Sequence, residues 1–291
     1  SKVDEKDISR LMVGRDVILE VKKTPAKPAE TVLKVDELVV LNRFGKRAVD
    51  GASFSVRRGE ILGIAGVEGN GQRELVEAIT GLGSFASGAI RVNGKAVAGM
   101  SIRQIRDAGV CHVPEDRMTD GCAATLGVEA NLMSYNHDAH EFTGPVFLKG
   151  KAIRANSEKL VAEYAVKCST PLQEVGMLSG GNIQKVVVAR EFSSDPSLIV
   201  ADQPTRGIDV GATEFIRARL VELRDAGAAV LLVSADLNEV MELSDSLIVM
   251  YGGKIGAYVP DAKSVSEEEL GLYMLGLRKQ EPEEIARVVH D

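Results

Sequence analysis

Residues 178–182 read LSGGN, and residues 198–209 read LIVADQPTRGID. In the first stretch, Ser179 and the glycines precede a predicted helix, NIQKVVVAREF, so a hydroxyl and backbone N–H groups form an anion site at the helix start. The second stretch opens as a short buried strand ending at Asp202, where a carboxylate can hold a magnesium-bound water. Together the two stretches indicate an α/β domain that handles phosphate groups.

A glycine loop lies upstream, in GVEGNGQREL at Gly66–Leu75. It follows a predicted strand, ILGIAG, and opens a predicted helix, QRELVEAI, which is the context of a phosphate-binding loop. In such a loop, backbone N–H groups and a helix N-terminus converge on anionic oxygens, and glycines let the backbone approach. The cradle is therefore predicted to consist of Gly66, Gly69, Asn70 and Gly71.

Two side chains of this loop depart from the usual pattern. Gln72 and Arg73 stand where a phosphate loop has Lys and Ser or Thr. The lysine charge on the phosphates and the hydroxyl ligand of magnesium are thereby lost, each worth roughly 1.5–3 kcal/mol. The guanidinium of Arg73 could bind phosphate and replace part of that charge. Taken alone, the loop is equally compatible with a plain tight turn.

Composition narrows the class of protein. The chain has 291 residues, 45% hydrophobic and 26% charged, with a net charge of -7, which argues against broad nucleic-acid binding. No apolar run approaches the ~18 residues of a membrane span, and no secretory signal is present, so a cytosolic location is expected. The cysteines, which lack CxxC spacing, are predicted to be free thiols rather than metal ligands: Cys111, Cys122 and Cys168.

Three regions are predicted along the chain. Residues 1–31 are interpreted as the end of a preceding domain (helix DEKDISRLMVG, strand DVILEV) and a linker, with a natural N-terminal extension as the alternative. Residues 32–262 form the main domain. Residues 263–291 form a last helix, capped by Ser266 with Glu269, and a charged, frayed tail.

Within the main domain, the strand-rich start predicts an antiparallel sheet, and residues ~103–175 are predicted to be mostly helical. From Ile183 onward, helices alternate with strands, among them SLIVAD, AVLLVS and SLIVMYGGKI, each taken as one strand. Such alternation predicts a doubly wound, mostly parallel sheet.

From Val32 to Leu277 the chain resembles the ATP-binding cassettes of ABC transporters, with LSGGN as their signature motif. The resemblance implies a P-loop NTPase-like fold with an antiparallel β-subdomain and a helical subdomain, and it implies ATP and Mg²⁺ as cofactors. Asp202 would be the magnesium residue. Glu115, in VPEDR, falls at the Q-loop in place of Gln, and Asp209 falls at the D-loop as a dimer contact.

The resemblance also assigns three further positions. Phe44 falls where these proteins place an aromatic ring under adenine, although it is equally compatible with a core residue. Gln203 replaces the glutamate that polarises the attacking water, and losing general-base help costs ~100–10,000-fold. Ala235 replaces the histidine that contacts the γ-phosphate.

One branch is especially similar, the fused two-cassette subunits of bacterial importers for simple sugars and nucleosides. They carry LMVGR at the junction of their halves, and this chain has it at Leu11–Arg15, together with VPEDR and LSGGN. The stretch GIAGVEGNGQRELVEAITGL resembles the nucleoside-importer members of this branch more than the ribose or galactose members. The resemblance implies that this chain is the second cassette, peripheral at the cytoplasmic face of the membrane, with the first cassette and a permease, contacted through the helical subdomain, as partners.

In such a subunit the signature residues Ser179, Gly180, Gly181 and Asn182 would act in trans on the ATP site of the first cassette. The chain's own site would be degenerate, and the isolated domain weak or inactive as an ATPase. Two alternatives remain open at this point: a non-catalytic regulatory module that binds nucleotide and dimerises, and a soluble ABC ATPase of repair or translation.

Overall fold

The computed structural model describes residues 23–290. The expected helix in DEKDISRLMVG, the strand DVILEV and the LMVGR motif lie outside the described residues. The strands are β1 (Thr31–Leu41), β2 (Arg47–Arg57), β3 (Ile61–Ala65), β4 (Ser87–Val92), β5 (Lys95–Ala96), β6 (Val110–Val113), β7 (Leu198–Asp202), β8 (Ala229–Val233), β9 (Ser246–Tyr251) and β10 (Lys254–Val259). The α-helices are α1 (Gln72–Thr80), α2 (Ile102–Asp107), α3 (Val128–Met133), α4 (Gly150–Glu163), α5 (Gly180–Phe192), α6 (Val210–Asp225), α7 (Leu237–Leu243), α8 (Glu267–Met274) and α9 (Pro282–Ile285).

Two sheets build the larger of two compact units, which comprises residues 23–112, 196–203 and 219–290. A four-stranded sheet, in the order β2-β1-β4-β5, is antiparallel at every pairing. A six-stranded sheet has the order β10-β9-β3-β8-β7-β6. Its centre is parallel, since β3 pairs in parallel with β8 and β9, and β7 pairs in parallel with β8. The predicted α/β fold with an antiparallel β-subdomain is confirmed.

The parallel strands are apolar along most of their length because both faces of their sheet are covered. On β9, side chains alternate between faces, as a strand requires. Ile248 and Met250 join a core shared with the four-stranded sheet and α1, whereas Leu247 and Val249 join a second cluster with α7 and α8. This continuous burial holds the carboxyl ends of β3, β7 and β8 in fixed positions, and the predicted site residues follow those ends.

The run SLIVMYGGKI, predicted as one strand, is instead a hairpin. Strands β9 and β10 pair in antiparallel fashion around Gly252 and Gly253. Both glycines have positive φ, +57° and +79°, the conformation that a two-residue hairpin turn demands. The single-strand prediction was wrong because it ignored the glycine pair between two apolar runs.

The predicted frayed tail is also corrected. After α9, residues Ala286–Val288 form a 3₁₀ turn, and Val288 is buried in the core shared by the two sheets. The backbone N–H of His290 donates to Ser55 Oγ at 3.0 Å. Apolar packing and hydrogen bonds therefore anchor the tail as far as His290.

The segment before β1, residues 23–30, has no regular secondary structure but is anchored at several points. The buried ammonium of Lys23 lies 2.9 Å from Asp245 Oδ1 and donates to the carbonyl of Ser244 at 2.6 Å. Burial lowers the pKa of Lys23, and the Asp245 carboxylate opposes that effect. The carbonyl of Thr24 accepts hydrogen bonds from Arg224.

The second compact unit comprises residues 113–195 and 204–218 and is mainly helical. Its helices α3, α4 and α5 pack on one another. The buried side chain of Asn131 accepts the N–H of Ala123 at 2.8 Å and donates to three nearby carbonyls, which fixes the loop before α3. The stretch predicted as mostly helical, residues ~103–175, also contains β6. No helix within residues 23–290 has the length and apolar character needed to cross a membrane.

Candidate functional site

The glycine loop has the predicted context, between β3 and α1. Gly69 and Gly71 have φ of +89° and +100°, which few other residues adopt. A Cβ atom at Gly71 would meet the carbonyl oxygen of Ala48 at 2.2 Å, so the loop backbone passes against β2 too closely for any side chain. Its helix has nine residues, and its first N–H groups have no intrahelical partner, as in an anion-binding cradle.

The side chain of Gln72 folds back across this loop and is 8% exposed. Its amide oxygen accepts the backbone N–H of Asn70 at 3.1 Å. Its amide nitrogen donates to the carbonyl of Val67 at 3.2 Å. A Cβ atom at Gly66 would lie 2.4 Å from that nitrogen, so the first glycine of the loop makes room for the Gln72 side chain.

Asn70 ties the loop to its surroundings. Its Nδ2 donates to the carbonyl of Val67 at 2.9 Å, and its Oδ1 accepts the N–H of Gly252 at 2.7 Å. The glycine hairpin between β9 and β10 therefore supports the loop through this side chain. In contrast, Arg73 points along its helix, with Nε 2.9 Å from Glu77 Oε1 and a side chain 72% exposed.

Gln203 and Ala235, two of the replaced positions, are in contact just beyond the carboxyl ends of the neighbouring strands β7 and β8. Asp202 is the buried last residue of β7, and Gln203 follows it with φ of +49°, a left-handed conformation for a non-glycine residue. The backbone N–H of Gln203 donates to the carbonyl of Val233 at 2.8 Å, and its side-chain Oε1 accepts the N–H of Ala235 at 3.0 Å. Because β7 and β8 are adjacent and parallel, their carboxyl ends lie at the same edge of the sheet. The hydrogen bonds of Gln203 connect the end of β7 to the loop that follows β8.

Phe44 lies in the turn between β1 and β2 and is 71% exposed. The guanidinium of Arg43 lies 4.8 Å from its ring centroid. Phe44 is therefore not a core residue, and its ring is available at the surface of the same unit as the loop. Among the described residues, no group of three or more His, Cys, Asp or Glu side chains could hold a metal ion. Asp202 would have to share a magnesium ion with phosphate and water oxygens.

The signature residues lie in the other unit, at the start of α5. Ser179 is the N-cap residue of this 13-residue helix, and Gly180 is its first residue. Asn182 Nδ2 donates to Ser179 Oγ at 2.8 Å, and Asn182 Oδ1 accepts the N–H of Lys167 at 2.7 Å. The four residues are thus held together at a helix N-terminus, where N–H groups and the helix dipole favour an anion.

Both signature glycines lie against side chains of the same unit. A Cβ atom at Gly181 would meet Asp209 Oδ2 at 2.4 Å and the Cβ of Ala212 at 2.9 Å. A Cβ atom at Gly180 would meet Arg117 Nη2 at 2.9 Å. The structure therefore brings the signature next to Asp209, whose Oδ1 also accepts the N–H of Ala212 at 2.9 Å.

The VPEDR motif is connected to the segment before Asp209. Glu115 forms an ion pair with Arg206. Arg117 donates to the carbonyls of Arg206 at 2.8 Å and Gly207 at 3.1 Å. Hydrogen bonds from the N–H and hydroxyl of Thr119 and the N–H of Met118 lower the pKa of the Asp116 carboxyl. Sequence reasoning missed the roles of Arg117 and Arg206, because only the fold brings Arg117 beside Gly180 and Arg206 beside Glu115.

Residues 49–206 match the family model described as ABC transporter. The chain is 41% identical over 280 residues to the guanosine import ATP-binding protein NupO of Bacillus subtilis, covering 96% of this chain and 54% of that protein. It is 38% identical to the nucleoside import ATP-binding protein NupA of Lactococcus lactis, covering 93% and 53%. A third relative, the glucose import ATP-binding protein TsgD13 of Haloferax volcanii, is 40% identical over 95% of this chain and 50% of its own length. The chain thus spans about half the length of these curated relatives.

Solved structures share the fold. A nucleotide-free ATP-binding cassette from an ABC transporter superposes with a TM-score of 0.67 at 22% identity, covering 90% of this chain and 100% of the other. A dimeric bacterial ABC transporter cassette gives a TM-score of 0.68 at 19% identity, covering 78% and 97%. At these identities the likeness establishes the fold alone, a P-loop ABC ATPase fold.

Proposed function

This chain belongs to the ABC transporter family, and on that premise we propose that it is an ATP-binding cassette of an importer for nucleosides or simple sugars. Relatives named for guanosine, nucleoside, glucose and xylose import are 41%, 38%, 40% and 36% identical to it. Both solute classes occur among similar relatives, so the substrate is proposed as a class. The cassette would act at the cytoplasmic face of the membrane, bound to a permease through its helical unit.

The chain would be the second cassette of a two-cassette subunit. This part of the proposal is supported by VPEDR at Val113–Arg117 and LSGGN at Leu178–Asn182, together with LMVGR at Leu11–Arg15. In that arrangement, the first cassette of the same subunit holds the competent ATP site. The signature motif of this chain would contact the ATP bound at that site of the first cassette.

The observation that carries the proposal is the contrast between the two sites. The signature is complete and held by its neighbours, with Asn182 bonded to Ser179 and Gly181 packed on Asp209. The phosphate loop has Gln72 and Arg73 in place of its charged and hydroxyl ligands, and Gln203 cannot accept a proton. A helix N-terminus with a hydroxyl is suited to contact a phosphate group bound by another domain.

At the chain's own site, the residues present fit a nucleotide only in part. The glycine cradle, Asp202 and the exposed ring of Phe44 would hold phosphate, magnesium and adenine, respectively. ATP and Mg²⁺ would supply the phosphoryl chemistry when bound. Gln203 would orient a water molecule without accepting its proton, and the methyl group of Ala235 would make no polar contact with the γ-phosphate. Turnover at this site would be about 100–10,000-fold below that of a site with a general base.

The test is Mg-ATP turnover by this chain alone and after addition of the matching first cassette. The expected result is no turnover alone and turnover on mixing. Ser179→Arg should lower the activity of the mixture by about 100-fold or more, the effect of removing a donor that stabilises transition-state charge.

Ser193→Arg is the matched control, because it places the same exposed substitution at the other end of α5, where a cation is favourable. It should leave the activity of the mixture unchanged. Robust turnover by the isolated chain, or a mixture insensitive to Ser179→Arg, would refute the proposed division of roles.

A further inference from the structure

The side chain of Gln72 occupies hydrogen-bonding groups of the phosphate loop itself. It is the first residue of α1, it is buried, and its carboxamide bridges the two sides of the loop. Its oxygen accepts a hydrogen bond from the Asn70 N–H at 3.1 Å, and its nitrogen donates one to the Val67 carbonyl at 3.2 Å. The backbone N–H groups of this loop are the donors that a phosphate group requires.

Only a side chain with both an acceptor and a donor can make this bridge. A lysine, the usual residue at position 72, has three donors and no acceptor, so it leaves the N–H of Asn70 available. The carboxamide of Gln72 satisfies that donor with a neutral oxygen instead. Gly66 completes the arrangement, since any Cβ atom there would come within 2.4 Å of the Gln72 amide nitrogen.

We propose that Gln72 competes with phosphate at this loop: a nucleotide binds only after displacing the Gln72 amide oxygen from the Asn70 N–H. The inference rests on the proposed function in taking a nucleotide phosphate as the ligand. Gln72 thus lowers the affinity of this chain's own phosphate loop for nucleotides. Exchange of one net hydrogen bond changes affinity about two- to tenfold.

The loop should keep its shape when Gln72 is replaced. Asn70 Nδ2 makes a separate hydrogen bond to the Val67 carbonyl, and Asn70 Oδ1 holds the N–H of Gly252. Neither contact involves Gln72. A change in affinity therefore reports release of the Asn70 N–H rather than collapse of the loop.

The experiment measures the dissociation constants of inorganic pyrophosphate and Mg-ATP for the full chain by calorimetry at fixed salt. Gln72→Ala removes the competing oxygen and should tighten both about two- to tenfold. Gln72→Glu keeps an oxygen on the Asn70 N–H and adds a negative charge, so it should weaken both. Gln104→Ala is the control, because it removes the same amide from the capping box of α2, whose partner is Ser101 and not the loop, and it should leave both dissociation constants unchanged.

Equal or weaker binding by Gln72→Ala, or no binding by any variant, would overturn the inference. A measurement on the unmodified chain covers the case in which a variant fails to fold. The nuclear magnetic resonance signals of the Gln72 carboxamide should shift when pyrophosphate binds, and binding without such a shift would also refute displacement. Turnover of the mixture with the first cassette plays no part in these readouts, so failure of the proposed function is recognised separately.

Discussion

At the scale of single residues, the signature glycines are explained by what they touch. Asp209 and Ala212 occupy the space that a side chain at position 181 would need. The guanidinium of Arg117 occupies the corresponding space at Gly180. Arg117 in turn holds two carbonyls of the segment that precedes Asp209. The absence of side chains therefore lets helix α5 approach the D-loop, so the signature and the D-loop are in close contact within the helical unit.

Gly181→Ala tests this close approach. We expect it to lower the free energy of unfolding by about 1–3 kcal/mol, because the new methyl group overlaps the Asp209 carboxylate. Turnover of the mixture with the first cassette should fall with it. Gly150→Ala is the control, since the first position of α4 has open space around a Cβ atom, and its stability should stay within about 0.5 kcal/mol of the parent. Equal stabilities in urea titrations would mean that the contact is not close.

At the scale of elements, the chain's C-terminal segment is part of the core. Val288 is 1% exposed and packs in the cluster that joins both sheets to α1. Ser55, on β2, accepts a hydrogen bond from the backbone N–H of His290 and donates one to its carbonyl. The same strand contains Ala48, whose carbonyl lies against Gly71 of the phosphate loop. Packing of this element stabilises the sheet that lies under the phosphate loop.

Val288→Ala should therefore cost about 2 kcal/mol of unfolding free energy, through the lost transfer energy and the cavity left in a fully buried place. Val146→Ala removes the same atoms at a side chain that is 77% exposed, and it should cost less than about 0.5 kcal/mol. Urea denaturation of both variants checks the difference. Indistinguishable midpoints would show that the tail contributes nothing to the core.

At the scale of the whole molecule, charge separates the competing functions. A net charge of -7 and a pI near 5.3 disfavour a nucleic-acid ATPase, because phosphate backbones repel an acidic protein. The regulatory-module alternative has no use for a signature that is complete and held in place by Asp209 and Arg117. Both considerations favour a cassette that works with a partner domain under a permease.

A pull-down compares the alternatives directly. In the presence of the first cassette, immobilised permease of the matching importer in detergent should retain this chain at about 0.15 M salt, whereas double-stranded DNA should not. Retention on DNA would support the repair or translation class. Loss from the permease, with dimerisation intact, would support the regulatory module.

Features set by local sequence were predictable. Short apolar runs bounded by polar residues indicated β3 and β7, and the glycine loop before α1 followed from the strand, loop and helix order. The parallel sheet and the antiparallel β-subdomain follow from the order of elements, because few connections of alternating strands and helices are allowed. The family could likewise be recognised from LSGGN, because consecutive residues carry the motif.

Only the tertiary structure decided which groups meet across long chain separations. Position 203 fastens to position 235, the tail reaches β2, and Arg117 binds residues 206 and 207. The inward orientation of Gln72 depends on packing around Gly66, which periodicity does not report. The sequence by itself determined the fold and the identity of the replaced residues. The long-range contacts were settled by three-dimensional packing, because a hydrogen bond between distant segments forms only after the fold brings those segments together.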